Sequence, residues 1–118
     1  MSEKRDVGVY LDDILDAAEK ALRFTEGLSF DVFQSDDRTS FAVIRALEIL
    51  GEAAKNVPQA VRDRAPEIPW QDMAGMRDKL IHAYYGVDLR VVWRTVREDL
   101  SGVIDGIRRL RRQIDQAG

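Results

Sequence analysis

From residue 89 onward, Leu89, Val92, Val96, Leu100, Val103, Ile107, Leu110 and Ile114 step by threes and fours for nearly four heptads. That spacing lays a single apolar stripe along a helix, whereas on a strand it would scatter over both faces. Asp88 stands just ahead of the stripe, and aspartate is among the residues whose side chain caps a helix N-terminus. A helix this long has to bury its stripe against other elements, so the rest of the chain must supply them.

What it supplies is more helix. Leu11, Ile14, Leu15, Ala18, Ala21 and Leu22 predict an amphipathic helix over 9–25, with Gly27 as its stop. Ala42, Val43, Ala46, Leu47, Ile49, Leu50, Ala53 and Val57 predict a second over about 38–56. On its other side Arg45, Glu48 and Glu52 fall at the spacing of a surface ion-pair row. Gly51 costs about 1 kcal/mol relative to alanine inside a helix, so close packing is its expected use. Residues 29–37 read as a short connection with a helical turn, and 59–64 as a short helix. Ile68 stands before Pro69 and should be extended; a further helix is expected from Trp70 to about Tyr84, ended by Gly86. No strand, hairpin turn, repeat or linker interrupts the series. The fold class is all-α, a roughly antiparallel bundle of four to five helices, read as one domain over 1–118.

Composition removes several chemistries. The 118 residues include no cysteine and one histidine, which excludes thiol catalysis, disulfides and cysteine-ligated zinc. No metal or other cofactor is expected. No apolar run approaches the roughly 20 residues of a membrane span, and the charged start Met1-Ser2-Glu3-Lys4-Arg5-Asp6 leads into no signal-peptide core. A cytoplasmic protein is expected. The net charge of −3 argues against general nucleic-acid binding, but the charge is unevenly spread. Residues 1–76 carry 9 basic and 15 acidic side chains, whereas residues 77–112 carry 9 basic and 5 acidic. A basic patch for phosphate and a solvated, arginine-rich helix face both fit that asymmetry.

The single histidine lies in Arg77-Asp78-Lys79-Leu80-Ile81-His82-Ala83-Tyr84. The run joins a permanent cation, an imidazole that titrates near neutrality and a phenol, parts suited to a phosphodiester. On a helical wheel Trp70, Met73, Leu80 and Tyr84 share one side; Gln71, Gly75, Asp78 and His82 share another, polar one. Asp78, one turn before His82, is placed to orient the ring. Arg77 and His82 lie about 140° apart and roughly 7.5 Å along an ideal helix. Arginine's reach, a bent helix end or a second subunit would be needed to bring them to one phosphate. For RNA, attack by the ribose 2′-hydroxyl needs a base, an acid and a charge clamp, which His82 and Arg77 could divide. Spacing alone equally allows Arg77 and His82 as ordinary surface residues and Tyr84 as a core aromatic.

Tyr10-Leu11-Asp12-Asp13-Ile14-Leu15, Ala42 to Ala54, Pro66-Glu67-Ile68-Pro69-Trp70, Gly75 to His82 and Tyr84-Tyr85-Gly86-Val87-Asp88 occur in an order that resembles the HepT-like branch of the HEPN superfamily. The resemblance covers most of the chain. It implies an RNA-cleaving toxin that forms a homodimer, with Arg77 and His82 as the catalytic residues. The polar position after the arginine falls on Asp78, as a supporting residue; many relatives have Asn there. It also implies a minimal nucleotidyltransferase antitoxin as partner, with Tyr84 as the AMP acceptor. A non-catalytic helical adaptor of a nucleotidyltransferase would use the same fold, and so would a simple helical dimer module. The arginines Arg90, Arg94, Arg97, Arg108, Arg109, Arg111 and Arg112 are candidate RNA contacts.

Overall fold

The computed structural model describes the main chain of residues 3–83 and 86–117. The chain runs α1 (Glu3–Thr25), α2 (Phe30–Ser35), α3 (Asp37–Asn56), α4 (Gln59–Arg62), α5 (Trp70–Ile81), α6 (Leu89–Arg94), a π-helical turn (Thr95–Asp99) and α7 (Leu100–Ala117). No strand occurs among the described residues, so the all-α reading holds.

Each boundary has a local cause. Gly27, at φ 76°, takes the left-handed conformation that glycine adopts without strain, and α1 stops just before it. Ser29 caps α2 by accepting from the Val32 N–H at 3.2 Å. Asp36 caps α3 twice over, accepting from the Thr39 N–H at 3.3 Å and the Thr39 hydroxyl at 2.8 Å. Asp88 caps α6 as expected, accepting from the Arg90 and Val91 N–H groups at 3.0 and 3.4 Å. The stretch 29–37 is therefore more ordered than a connection with a turn: α2 and α3 are two helices separated by one residue. Buried Phe33 fixes α2, its ring 5.2 Å from that of Trp93 on α6.

The double cap makes Asp36 a source of acid sensitivity. Its hydrogen bonds to Thr39, the side-chain one foremost, hold its carboxyl below the usual aspartate value. A depressed folded pKa gives stability that is present above the unfolded pKa and lost as pH falls through the folded one. Asp36→Asn keeps an acceptor without the titration. Its melting temperature is expected to fall less than the wild type's between neutrality and pH 3; parallel curves would show that the cap titrates as it does unfolded.

The core forms where α1 and α3 pack together and where α5 and α7 close on them. Leu11, Ile14, Val43, Leu47, Leu100, Ile107 and Leu110 are almost wholly excluded from solvent. α1 runs antiparallel to the π-helical turn and α7, since Asp12 meets Arg111, Glu19 meets Arg108, and Thr25 meets Arg97 of the turn. The π-helical turn answers the spacing of Val92, Val96 and Leu100. Two successive steps of four rotate an α-helical stripe by about 40° each. The wider turn at 95–99 absorbs that drift, and all three residues remain buried.

α1 begins earlier than its apolar period suggests, with charged residues extending it to Glu3. α5 ends earlier than expected, at Ile81 rather than near Tyr84, and the cause lies in the candidate site.

Candidate active site

Gly51 sets the geometry. A Cβ there would run into Arg77 Cβ and lie 2.6 Å from the Met73 carbonyl oxygen, so α5 crosses α3 at van der Waals contact with bare backbone. The close approach carries Arg77 to the neighbour of Gly51. Arg77 Nε forms an ion pair with Glu52 Oε2 at 3.0 Å, and Arg77 Nη1 donates to Asp78 Oδ1 at 2.9 Å. Lys55 Nζ, one turn along α3, is 3.5 Å from the same Asp78 oxygen. The Arg77 hydrogen bond, helped by the charges of Lys55 and Arg77, holds the Asp78 carboxyl below the usual range against a smaller opposing effect of burial.

His82 is the C-cap of α5. Its Nδ1 lies 2.7 Å from the Asp78 main-chain oxygen. A carbonyl oxygen only accepts, so Nδ1 carries the proton, and in the neutral ring the lone pair then sits on Nε2. The same contact explains the early helix end. In another α-helical turn the His82 main-chain N–H would take the Asp78 carbonyl; here that N–H turns to Leu80 and the imidazole takes its place.

Asp78 thus joins the two halves of the motif, though not by the expected route. Its carboxylate holds Arg77, and its main chain, rather than its carboxylate, orients His82. Trp70 and Met73 are buried and Leu80 is partly buried, as the wheel predicts, while His82 is exposed. Tyr84 lies outside the described residues. Among the described residues no group of three His, Asp or Glu side chains could hold a metal ion.

Two members of the site escaped the sequence. Glu52 was expected in a surface row with Arg45 and Glu48. Arg45 does approach Glu48 at 3.4 Å, but Glu52 crosses to α5. Nothing local in the sequence ties Lys55 to a residue on another helix.

The arginines from 90 onward are less of an RNA surface than their number suggests. Arg108 and Arg111 pair with Glu19 and Asp12 of α1, and Arg94 is 3.7 Å from Glu98. The Arg90 guanidinium sits 4.1 Å over the Phe30 ring. Two of the nine basic residues between 77 and 112, Arg108 and Arg111, therefore offset acidic residues of α1.

Residues 14–114 match the ribonuclease HepT-like family model. The chain belongs to this HepT-like family. It is 52% identical over 109 residues to a probable ribonuclease HepT of Thermococcus cleftensis, covering 92% of this chain and 99% of that one. A candidate RNase of Methanocaldococcus jannaschii is 40% identical over 85% of this chain and 83% of its own. Another, from Caldanaerobacter subterraneus, is 43% identical over 77% and 81%. No solved structure gives a match. HepT-like membership agrees with the helical, HEPN-like architecture, and no described helix is long and apolar enough to cross a membrane.

Proposed function

We propose that this HepT-like chain is a metal-independent endoribonuclease, the toxin of a type VII-like toxin–antitoxin pair, silenced when a nucleotidyltransferase attaches AMP to Tyr84. The observation that carries the reading is the near full-length likeness to a protein named a probable ribonuclease HepT. Supporting it, Arg77 and His82 both hang on Asp78 at one helix end.

In the proposed reaction a base takes the ribose 2′-hydroxyl proton, the 2′-oxygen bonds to phosphorus, and the 5′-oxygen leaves with a proton. The products are a 2′,3′-cyclic phosphate and a 5′-hydroxyl, and no water is consumed. His82 Nε2 serves as acid or base, and Arg77 bears on the charge that builds on the non-bridging oxygens. A homodimer would place two such ends across one cleft. The surface beside Arg77 suits a second copy: Ile49 and Ile81 are each 40% exposed there. With Tyr10, Arg45 and Arg77 they line a pocket of about 230 Å³.

The test is RNA cleavage by purified, unmodified protein in EDTA, repeated after incubation with ATP and a cognate nucleotidyltransferase. Cleavage is expected before the incubation. Afterwards, loss of cleavage should accompany a gain of AMP that Tyr84→Phe abolishes, because a bulky anion two residues from His82 competes with RNA phosphate. Absence of cleavage from adduct-free protein would replace this reading with a non-catalytic adaptor of the nucleotidyltransferase.

A further inference from the structure

We propose that Lys55 and Arg77 form a two-cation clamp for an RNA phosphate, and that the Asp78 carboxylate fills the clamp until RNA displaces it. The inference takes its ligand from the ribonuclease reading and adds a residue and a gate to it.

Arg77 Nη1 and Lys55 Nζ converge on one atom, Asp78 Oδ1, at 2.9 and 3.5 Å. An anionic oxygen held between an arginine and a lysine from another helix is the environment a non-bridging phosphate oxygen seeks. The carboxylate is thus an internal stand-in for substrate. It can also leave: the Asp78 and Lys55 side chains are 48% and 45% exposed, so solvent and RNA reach the clamp from outside.

Two features keep the clamp assembled when Asp78 swings out. Glu52 holds Arg77 by Nε, on a different nitrogen from the one Asp78 uses. The contact at Gly51 leaves α5 no room to settle closer to α3. His82 is tied to the main-chain oxygen of Asp78, so rotation of the carboxylate leaves the imidazole where it was. The competing account is that Lys55 and Asp78 merely clip α3 to α5.

Binding of an uncleavable 2′-O-methyl RNA oligonucleotide, followed by fluorescence anisotropy across a salt series, separates the two. The full chain is compared with Lys55→Gln, Lys55→Arg and Asp78→Asn, with melting temperatures alongside. For the clamp, Lys55→Gln should weaken binding about tenfold. Its log–log salt dependence should be shallower by about 0.7, the share of one phosphate contact on a single strand. Lys55→Arg should recover most of both, and Asp78→Asn should bind more tightly than wild type because the competing carboxylate is gone. A simple clip would lower the melting temperature in Lys55→Gln and Asp78→Asn without touching the salt slope.

Wild-type affinity and slope in Lys55→Gln, or no tightening in Asp78→Asn, overturns the clamp, as does a wild-type chain that binds no RNA. Cleavage of ordinary RNA by the same samples keeps the two proposals apart. If wild type cleaves while Lys55→Gln binds normally, only the clamp fails. If the binding changes appear but nothing is cleaved, the clamp stands and the ribonuclease reading fails.

Discussion

RNA cleavage by His82→Ala is expected to fall by about 10²- to 10⁴-fold, the usual worth of a positioned acid or base, with the fold undisturbed. The structural cost should be small because the ring is exposed and its contact with the Asp78 main-chain oxygen lies at a helix end. Water can satisfy that carbonyl once the ring is gone. Exposed substitutions of this kind usually stay within about 0.5 kcal/mol. His82→Gln sharpens the test, since its amide can still donate to the Asp78 oxygen but cannot carry a proton through the reaction. Both variants should show this loss, at wild-type helicity and melting temperature, in single-turnover cleavage with EDTA present. Wild-type rates in either would remove His82 from the chemistry. Arg77→Ala is a less clean probe: it strips a cation from between Glu52 and Asp78 and so disturbs packing and charge together.

The parts of the structure that were legible in the sequence are those written locally. The apolar period of α7, the Asp88 cap and the Gly27 stop each need only neighbours within a few residues, and each appears where expected. The end of α5 was not legible, because a helical wheel assumes that main-chain N–H groups keep their carbonyls. At Asp78 a side chain competes for that carbonyl and takes it. The π-helical turn was present in the sequence as two successive steps of four, but a stripe read only for its polarity hides the extra residue. The site was half legible. Arg77, Asp78 and His82 fall within six residues, so the motif exposes them. Glu52 and Lys55 reach it across a helix crossing, and one sequence holds no record of which faces meet.

That crossing makes Gly51→Ala the most informative substitution outside the motif. Judged as a helix position alone, alanine should stabilise by about 1 kcal/mol. The added carbon, however, meets Arg77 Cβ and lies 2.6 Å from the Met73 carbonyl, and backbone cannot rotate aside as a side-chain end can. α3 and α5 must separate, an overpacking penalty of about 1–3 kcal/mol that exceeds the gain in most of its range. The melting temperature is therefore expected to drop, by roughly 3–6 °C for each net kcal/mol lost. Cleavage should suffer more than stability. Moving α5 pulls Arg77 from Glu52, and misplacing a charged group by about 1 Å can cost on the order of 10²-fold in rate. Gly75→Ala, on the same helix two residues before Arg77, is the control, because a Cβ there meets nothing within 4 Å. It should raise the melting temperature and leave cleavage unchanged. The same substitution with opposite signs at two glycines of the α3–α5 pair would tie the difference to the crossing rather than to helix propensity. A Gly51→Ala protein that melts higher and cleaves normally would mean the two helices have slack, and that Arg77 does not depend on their contact for its aim.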